Sequence, residues 1–459
     1  MHVDIELTPQ SLLPAIQRMW SRSAEVLTAL ETAWEPGRGS PVFTVDGQYT
    51  ARGWTEWTQG FQYGSLLLQF DATNDRSFFD LGLKRTIDFM APHVSHIGVH
   101  DHGFNNVSTY GNIRRLMLEG RIERDTHLLD FCELALKVSG AVQAARWSRT
   151  FEGHGFIFSF NGPHSLFCDT IRSLRALAMG HKLGHRLMGE NDEPISLLKR
   201  LVHHARTTAL YSVYYGDGRD IYDVRGRVAH ESIFNTNDGH YRCPSTQQGY
   251  SAFSTWTRGL AWIMVGYAEQ LEFLETVSDV ELEPLGGRSE VEDFFLRAAR
   301  ASCDFYLANT PLDGVPNCDT GAPGLPQLGD WRSRPAEPFN AHEPVDSSAA
   351  AIACQGLIKL GQWLEARGET AGMQYRQAGL TVLNTLLTED YLSRGAHQGL
   401  LIHSVYHRPR GWDFVPMGQD VPCGESSQWG DYHLREAALL VQRMAEKSTP
   451  YRFDGPVSE

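Results

Sequence analysis

The chain has 459 residues, a formal net charge of −14 and 42% hydrophobic residues, an ordinary balance for a globular protein. Its basic residues are scattered, which excludes a nucleic-acid partner of the usual kind, because a phosphate backbone rewards a concentrated basic face. No stretch approaches the roughly 20 apolar residues of a membrane span, so no membrane partner is expected. Seven widely spaced cysteines with no CxxC pair argue against a disulfide framework and favour a reducing compartment. The first residues carry no charged-then-apolar signal pattern, and a cytoplasmic location is expected.

In chain order, apolar residues at three-and-four spacing predict helices over 12–34, 78–90, 128–147, 166–188, 195–211, 256–274, 291–307, 347–364, 373–387 and 432–444. Two more fit around 61–70 and 106–119. Strand signals are sparse, the best being 211–215 and a hairpin-like region over 220–241. The class is mainly α. No Pro/Ser-rich linker or shift of composition divides the chain, which predicts one domain over 1–459. Long segments at 36–58, 216–255, 310–345 and 393–427 hold many of the Trp, His, Arg and Asp residues. Loops of that length inside a compact domain usually carry local structure or function.

The stretch 248–274 organises the rest. From Trp256 onward, Leu260, Ile263, Met264, Tyr267, Leu271 and Leu274 form one apolar face, and Ala261, Trp262, Val265 and Ala268 cover much of the remainder. A helix apolar on most sides is an inner helix. Arg258 and Trp262, four residues apart, project from one side near its start. A buried guanidinium needs an anion, supplied by a protein carboxylate or by a ligand, and the internal pair is the plainer reading. Small residues after Asp346 suggest a second inner helix with Asp346 as its N-cap. The last helix follows Gly424-Glu425-Ser426-Ser427, with Ser427 or Asp431 able to cap it, and such a start can also bind an anion.

Two acidic stretches stand out as carriers of chemistry. His100-Asp101 places a proton carrier beside a carboxylate, although Asp101 reads equally as a turn or cap residue. Asp169 begins an apolar helix and reads most simply as an acid favoured by the helix dipole and paired with Arg172. A third acidic run, 217–223, reads as a solvated loop. No HExxH or other ligand spacing occurs, so no metal site is expected. GxSxG, a Walker loop and a dinucleotide fingerprint are absent as well, and no organic cofactor is expected. What remains is 11 Trp and 16 Tyr among dispersed Asp, Arg and His, an inventory suited to sugars: aromatic faces stack on sugar rings and carboxylates do acid/base work.

Several stretches together resemble glycoside hydrolase family 88, the unsaturated glucuronyl hydrolases. They are Trp57-Thr58-Gln59-Gly60-Phe61, His100-Asp101-His102-Gly103-Phe104, Asp169-Thr170, Gln248-Gly249-Tyr250-Ser251, Trp256-Thr257-Arg258-Gly259-Leu260-Ala261-Trp262, Asp346-Ser347-Ser348-Ala349-Ala350-Ala351 and Trp429-Gly430-Asp431-Tyr432, in family order over roughly 50–445. The resemblance implies a single (α/α)6 barrel with long loops forming a cleft at one end. It implies a substrate with a 4,5-unsaturated uronic acid at its non-reducing end, attacked by hydration of the C4=C5 bond. Asp169 is implied to protonate C4 and then help water attack C5, with Asp101 as the second carboxylate and His100 beside it. His230, Gln248, Arg258 and Trp262 match positions that hold the sugar, Trp57 matches an aromatic wall, and Ser426 and Ser427 lie where the uronate carboxylate is bound. Trp256 joins the Trp57 and Trp262 aromatic set.

That role sets a physical requirement: Asp169 is expected to be buried near Asp101, with a raised pKa. Two other readings fit the same residues. One is an inverting glycosidase with Asp101 and Asp169 as acid and base, which needs a wider carboxyl separation. The other is a catalytically silent barrel in which Trp57, Trp256 and Trp262 bind sugar. His102, Asn105, Asn106, Arg172 and Arg175 depart from the family pattern near the two acids.

Overall fold

The computed structural model describes residues 1–52 and 56–456, so positions 53–55 of the 36–58 segment and the last three of the 1–459 span lie outside it. Twelve helical stretches alternate between an outer and an inner ring. The outer helices are α1 (Pro9–Ala33), α3 (Arg76–Phe89), α5 (Thr126–Ala145), α7 (Leu197–Tyr211), α9 (Gly287–Ala308) and α11 (Ala371–Leu386). The inner ones are α2 (Gln59–Thr73), α4 (His102–Asn105, the π-turn Val107–Gly111 and Asn112–Leu118), α6 (Thr170–Ser173 and Arg175–Lys182), α8 (Thr257–Leu274), α10 (Ser347–Glu365) and α12 (Gln428–Glu446). The inner helices touch in the order α2, α4, α6, α8, α10, α12 and back to α2, which closes the barrel.

Sequence pattern explains which ring each helix joins. In α1 the buried residues Leu12, Ile16, Met19, Ser23, Val26 and Leu30 make one stripe, as an outer helix requires. In α8 and α10 nearly every side chain is buried, and Ala349, Ala350 and Ala351 let α10 pack closely. Caps set several helix starts: Thr8 and Ser11 form a capping box, and Asp125, Ser196, Asp346 and Ser427 each accept a backbone N–H of the helix they precede.

The expected helix over 166–188 is shorter and irregular. Ser165–Phe167 is a strand, β3, pairing with β4 (Glu231–Phe234), which in turn pairs with β5 (Tyr241–Ser245). A hairpin of β1 (Pro41–Val45) and β2 (Gln48–Ala51) precedes it in the chain. The 211–215 strand does not form: Tyr211 ends α7, and only Val213 makes an isolated bridge, to Val228.

Deep in the barrel, α6, α8 and α12 meet in a four-charge cluster. Arg172 reaches Glu269 and Glu436 at 2.9 Å each, and Arg175 reaches the same two acids. Arg172 therefore points into the barrel and does not pair with Asp169. The tail packs against this cluster: Tyr451 Oη donates to Glu436 at 2.6 Å, and Lys182 holds Asp454 at 2.9 Å. Among the described residues no helix is long and apolar enough to cross a membrane.

Candidate active site

Loops at the N-terminal ends of the inner helices enclose a cleft with about 710 Å³ of atom-free space, counting that open to solvent. Its wall combines Trp57, Phe104, Phe160, Phe167, Trp256, Trp262, Tyr406 and Trp412 with His100, Asp101, Asp169, Gln247, Gln248, Arg258 and His407. The aromatics brace one another: Trp57 stacks on Trp429 at 5.1 Å between centroids, and Phe104 lies 4.9 Å from Trp262.

Asp101 and Asp169 come together although 68 residues separate them in the chain. His100 Nε2 lies 3.7 Å from Asp101 Oδ1 and 3.7 Å from Asp169 Oδ2, and ligand-type atoms of the three residues fall within 4.8 Å of one another. Backbone contacts fix this meeting point. The His100 carbonyl accepts Gln143 Nε2 at 2.7 Å and Ser173 Oγ at 2.6 Å. Gly103 packs so tightly on α6 that a Cβ there would stand 2.2 Å from the Ser173 carbonyl oxygen. Asp169 is carried in by β3, whose register with β4 also sets Cys168 N on the His230 carbonyl at 2.9 Å.

Both acids occupy helix N-cap positions, yet neither carboxylate caps its helix. They are left to face each other and the cleft. Burial pushes the Asp101 carboxyl up; the imidazole of His100 opposes this, the Asp169 charge adds to it, and the net result is raised. Burial also pushes Asp169 up, but the contact with His100 and the charges of His100 and His230 outweigh it and hold Asp169 below its ordinary value. Burial disfavours charge on His100, but the two carboxylates raise its pKa above the usual imidazole value. The expected polarity is thus reversed in direction: Asp101 is pushed toward its protonated form and Asp169 toward its carboxylate, because His100 sits between them. The three residues span a metal-sized space, but a protonated imidazole has no lone pair to offer an ion. Chemically the trio sets a carboxyl biased toward holding a proton beside a carboxylate that can accept one.

The other predicted residues divide. Arg258 is engaged by the protein: it donates to the Val405 carbonyl, to Tyr406 O at 2.9 Å and to Gln248 Oε1 at 2.6 Å, with Asp346 Oδ2 at 3.8 Å. Asp346 caps α10 through Ser348 N and Ala349 N. Trp57, Gln248, Trp256 and Trp262 line the cleft. His230 stands behind the wall, between Phe167 and Trp256 at 4.5 and 4.7 Å. Its Nδ1 accepts the amides of Gln247 and Gln248, and burial brings its pKa down to about 4.

Ser426 and Ser427 are corrected. Both are fully buried and outside the cleft lining. Ser426 Oγ donates to the Leu401 carbonyl at 2.8 Å, and Ser427 Oγ accepts Gly430 N at 3.1 Å as the cap of α12. Their hydroxyls are spent on the scaffold. His102, Asn105 and Asn106 are interhelical braces: His102 bridges Ser139 and the His96 carbonyl, Asn105 accepts Gly60 N, and Asn106 holds the His93 carbonyl and Ser139. Sequence reasoning passed over Phe160, Phe167, Gln247, Tyr406, His407 and Trp412 as lining residues. Three histidines, His397, His403 and His407, with Tyr406 and Trp412 in the 393–427 segment were the available signal for the last three.

No family model matches this chain. It is similar to an unsaturated glucuronyl hydrolase of Formosa agariphila, 24% identical over 394 residues, covering 85% of this chain and 81% of the relative. Among solved structures, the unsaturated glucuronyl hydrolase of Bacillus sp. GL1 superposes with a TM-score of 0.69 at 21% identity, over 93% of this chain and 97% of that one. A variant of the Streptococcus agalactiae unsaturated glucuronyl hydrolase, complexed with dGlcA-GalNAc6S, superposes with a TM-score of 0.62 at 19% identity, over 96% and 97%. These likenesses show the fold, a mainly α barrel of inner and outer helices.

Proposed function

We infer that this chain belongs to the unsaturated glucuronyl hydrolases, glycoside hydrolase family 88, and removes a 4,5-unsaturated uronic acid from the non-reducing end of oligosaccharides. The observation that carries the reading is the meeting of Asp101, His100 and Asp169 at the base of an aromatic cleft. Asp169 delivers a proton to C4, water adds at C5, and Asp169 takes a proton back from that water. The resulting hemiketal opens to a ketone at C5, which frees the ring oxygen as a hydroxyl on C1. The hemiacetal so formed expels the rest of the sugar. Asp101 is the resting store of the proton, and His100 Nε2, at the same distance from both acids, is placed to pass it to Asp169. Trp57, Trp256 and Trp262 supply apolar faces for the ring, and Gln248 and Arg258 order its hydroxyls from a fixed position.

Carboxyl spacing separates this from inversion at an anomeric carbon. Inverting glycosidases leave roughly 6.5–9.5 Å between their acids for a water, whereas these acids approach within 4.8 Å. The whole chain is read as one catalytic domain working in the cytoplasm, in keeping with seven cysteines that all remain unpaired. The test is incubation with lyase-generated unsaturated disaccharides while following the ultraviolet absorbance of the conjugated alkene-carboxylate. The absorbance should decay as the sugar is released. Release from saturated glycosides without that decay would sink the reading.

A further inference from the structure

A uronate substrate brings its own carboxylate into a cleft that already holds the ionised Asp169, so a donor away from Asp169 has to receive it. Arg258 is committed to two backbone carbonyls, to Gln248 and to the charge of Asp346. The hydroxyls of Ser426 and Ser427 are spent outside the cleft. His407 is different. It lines the cleft, its side chain is nearly all buried, and neither ring nitrogen has a hydrogen-bond partner in another residue. Leaving such a group unpaired in the resting site is costly, and a ligand that pairs with it recovers that cost.

The surroundings hold the ring in place and favour an anion beside it. Asp413 accepts the amides of both Tyr406 and His407, the latter at 3.0 Å, while Arg258 takes the carbonyls of residues 405 and 406. The ring packs on Trp412 at 4.8 Å. Burial, with the guanidinium groups of Arg410 and Arg258, brings its pKa down to about 4. An arriving anion is therefore drawn to this wall.

Resting on the uronide reading above, we propose that the His407 imidazole binds the carboxylate of the sugar in the cleft, donating a ring N–H to it. His407 thereby fixes which end of the sugar faces Asp169. The test is equilibrium binding of D-glucuronate and of its methyl ester to the full-length wild type and to His407→Ala. The wild type should prefer the acid by about tenfold to a hundredfold, the usual worth of a hydrogen bond to a charged group. His407→Ala should lose that preference, and His407→Gln, which keeps an N–H donor, should regain part of it. The Asp413 brace holds backbone amides and survives either change, and thermal unfolding checks it. A preference that persists in His407→Ala overturns the proposal, as does a wild type that binds the two alike or binds neither. Turnover of the unsaturated disaccharide, followed in parallel, judges the uronide reading separately. On that substrate His407→Ala should raise KM by the same factor.

Discussion

Removing the proton store gives the sharpest test of the trio. In Asp101→Asn the carboxyl that keeps the spare proton is gone, while His100 still faces Asp169 at 3.7 Å. A unit positive charge at that distance, in an effective dielectric of ~20, favours the ionised carboxylate by about 4 kcal/mol, or about three pH units. Burial pushes Asp169 the other way and offsets part of this, so the figure is an upper one. Protonated Asp169 is then rare at neutral pH, with no neighbour to replenish it. At about pH 7, kcat/KM should fall ~100- to 1000-fold, and it should recover by about tenfold per pH unit on acidification. The wild type should instead hold a level rate from the depressed Asp169 pKa up to the raised Asp101 pKa, both belonging to the trio as a whole. Initial rates of alkene loss across pH measure both profiles. A variant that matches the wild type at neutral pH, or whose rate ignores pH, refutes the storage role.

Three further changes probe the same architecture. Asp169→Asn should lower kcat by ~1000-fold or more; it removes no helix cap but takes an anionic partner from the buried His100, so the urea unfolding midpoint should fall modestly as well. Glu436→Gln leaves Arg172 and Arg175 sharing Glu269 alone, and should cost about 3–5 kcal/mol in denaturant titration. Because burial is outweighed by the two arginines and Glu436 is held well below its ordinary value, its contribution is present above the ordinary carboxylate range. It fades only as pH falls toward the folded-state value, so the difference between wild type and Glu436→Gln should shrink in strong acid. Asp346→Ala removes both the cap of α10 and the carboxylate nearest Arg258, and about 2–4 kcal/mol of stability should go with it.

Periodicity made the mainly α class and several inner helices legible, and the closed barrel was what the family resemblance implied. Helices such as 256–274 are apolar nearly all round, and 12–34 has a single stripe. Local ambiguity explains the misreadings. Ser-Leu-Phe at 165–167 is a short apolar run, which periodicity cannot sort between strand and helix, and it became β3. Tyr211 reads as β-prone, but its ring packs on Phe234 and Tyr241 from the end of α7. In the site, the residue types His100, Asp101 and Asp169 were visible, and their state of charge was not. That state depends on one nitrogen standing between acids that meet only in three dimensions. Ser426 and Ser427 show the converse, since a hydroxyl at a helix start looks the same whether it awaits an anion or caps its own helix.

The position of the two acids relative to their helices has a consequence for catalysis. An ordinary helix start pulls a carboxylate toward ionisation, through free amides and aligned peptide dipoles. Asp346 shows both the pull and its limit: it accepts two amides of the long helix α10, yet burial still leaves its carboxyl above the ordinary value. Neither Asp101 nor Asp169 caps the helix it precedes, and the inner helices that follow them change hydrogen-bond register almost at once. One passes into a π-turn after four residues, and the other is interrupted at Leu174. The pull toward ionisation is therefore weak just where a proton has to be kept, and the balance is left to burial, to the neighbouring carboxylate and to His100. The irregular starts of α4 and α6 leave the two carboxyls uncommitted to their own helices and close to each other.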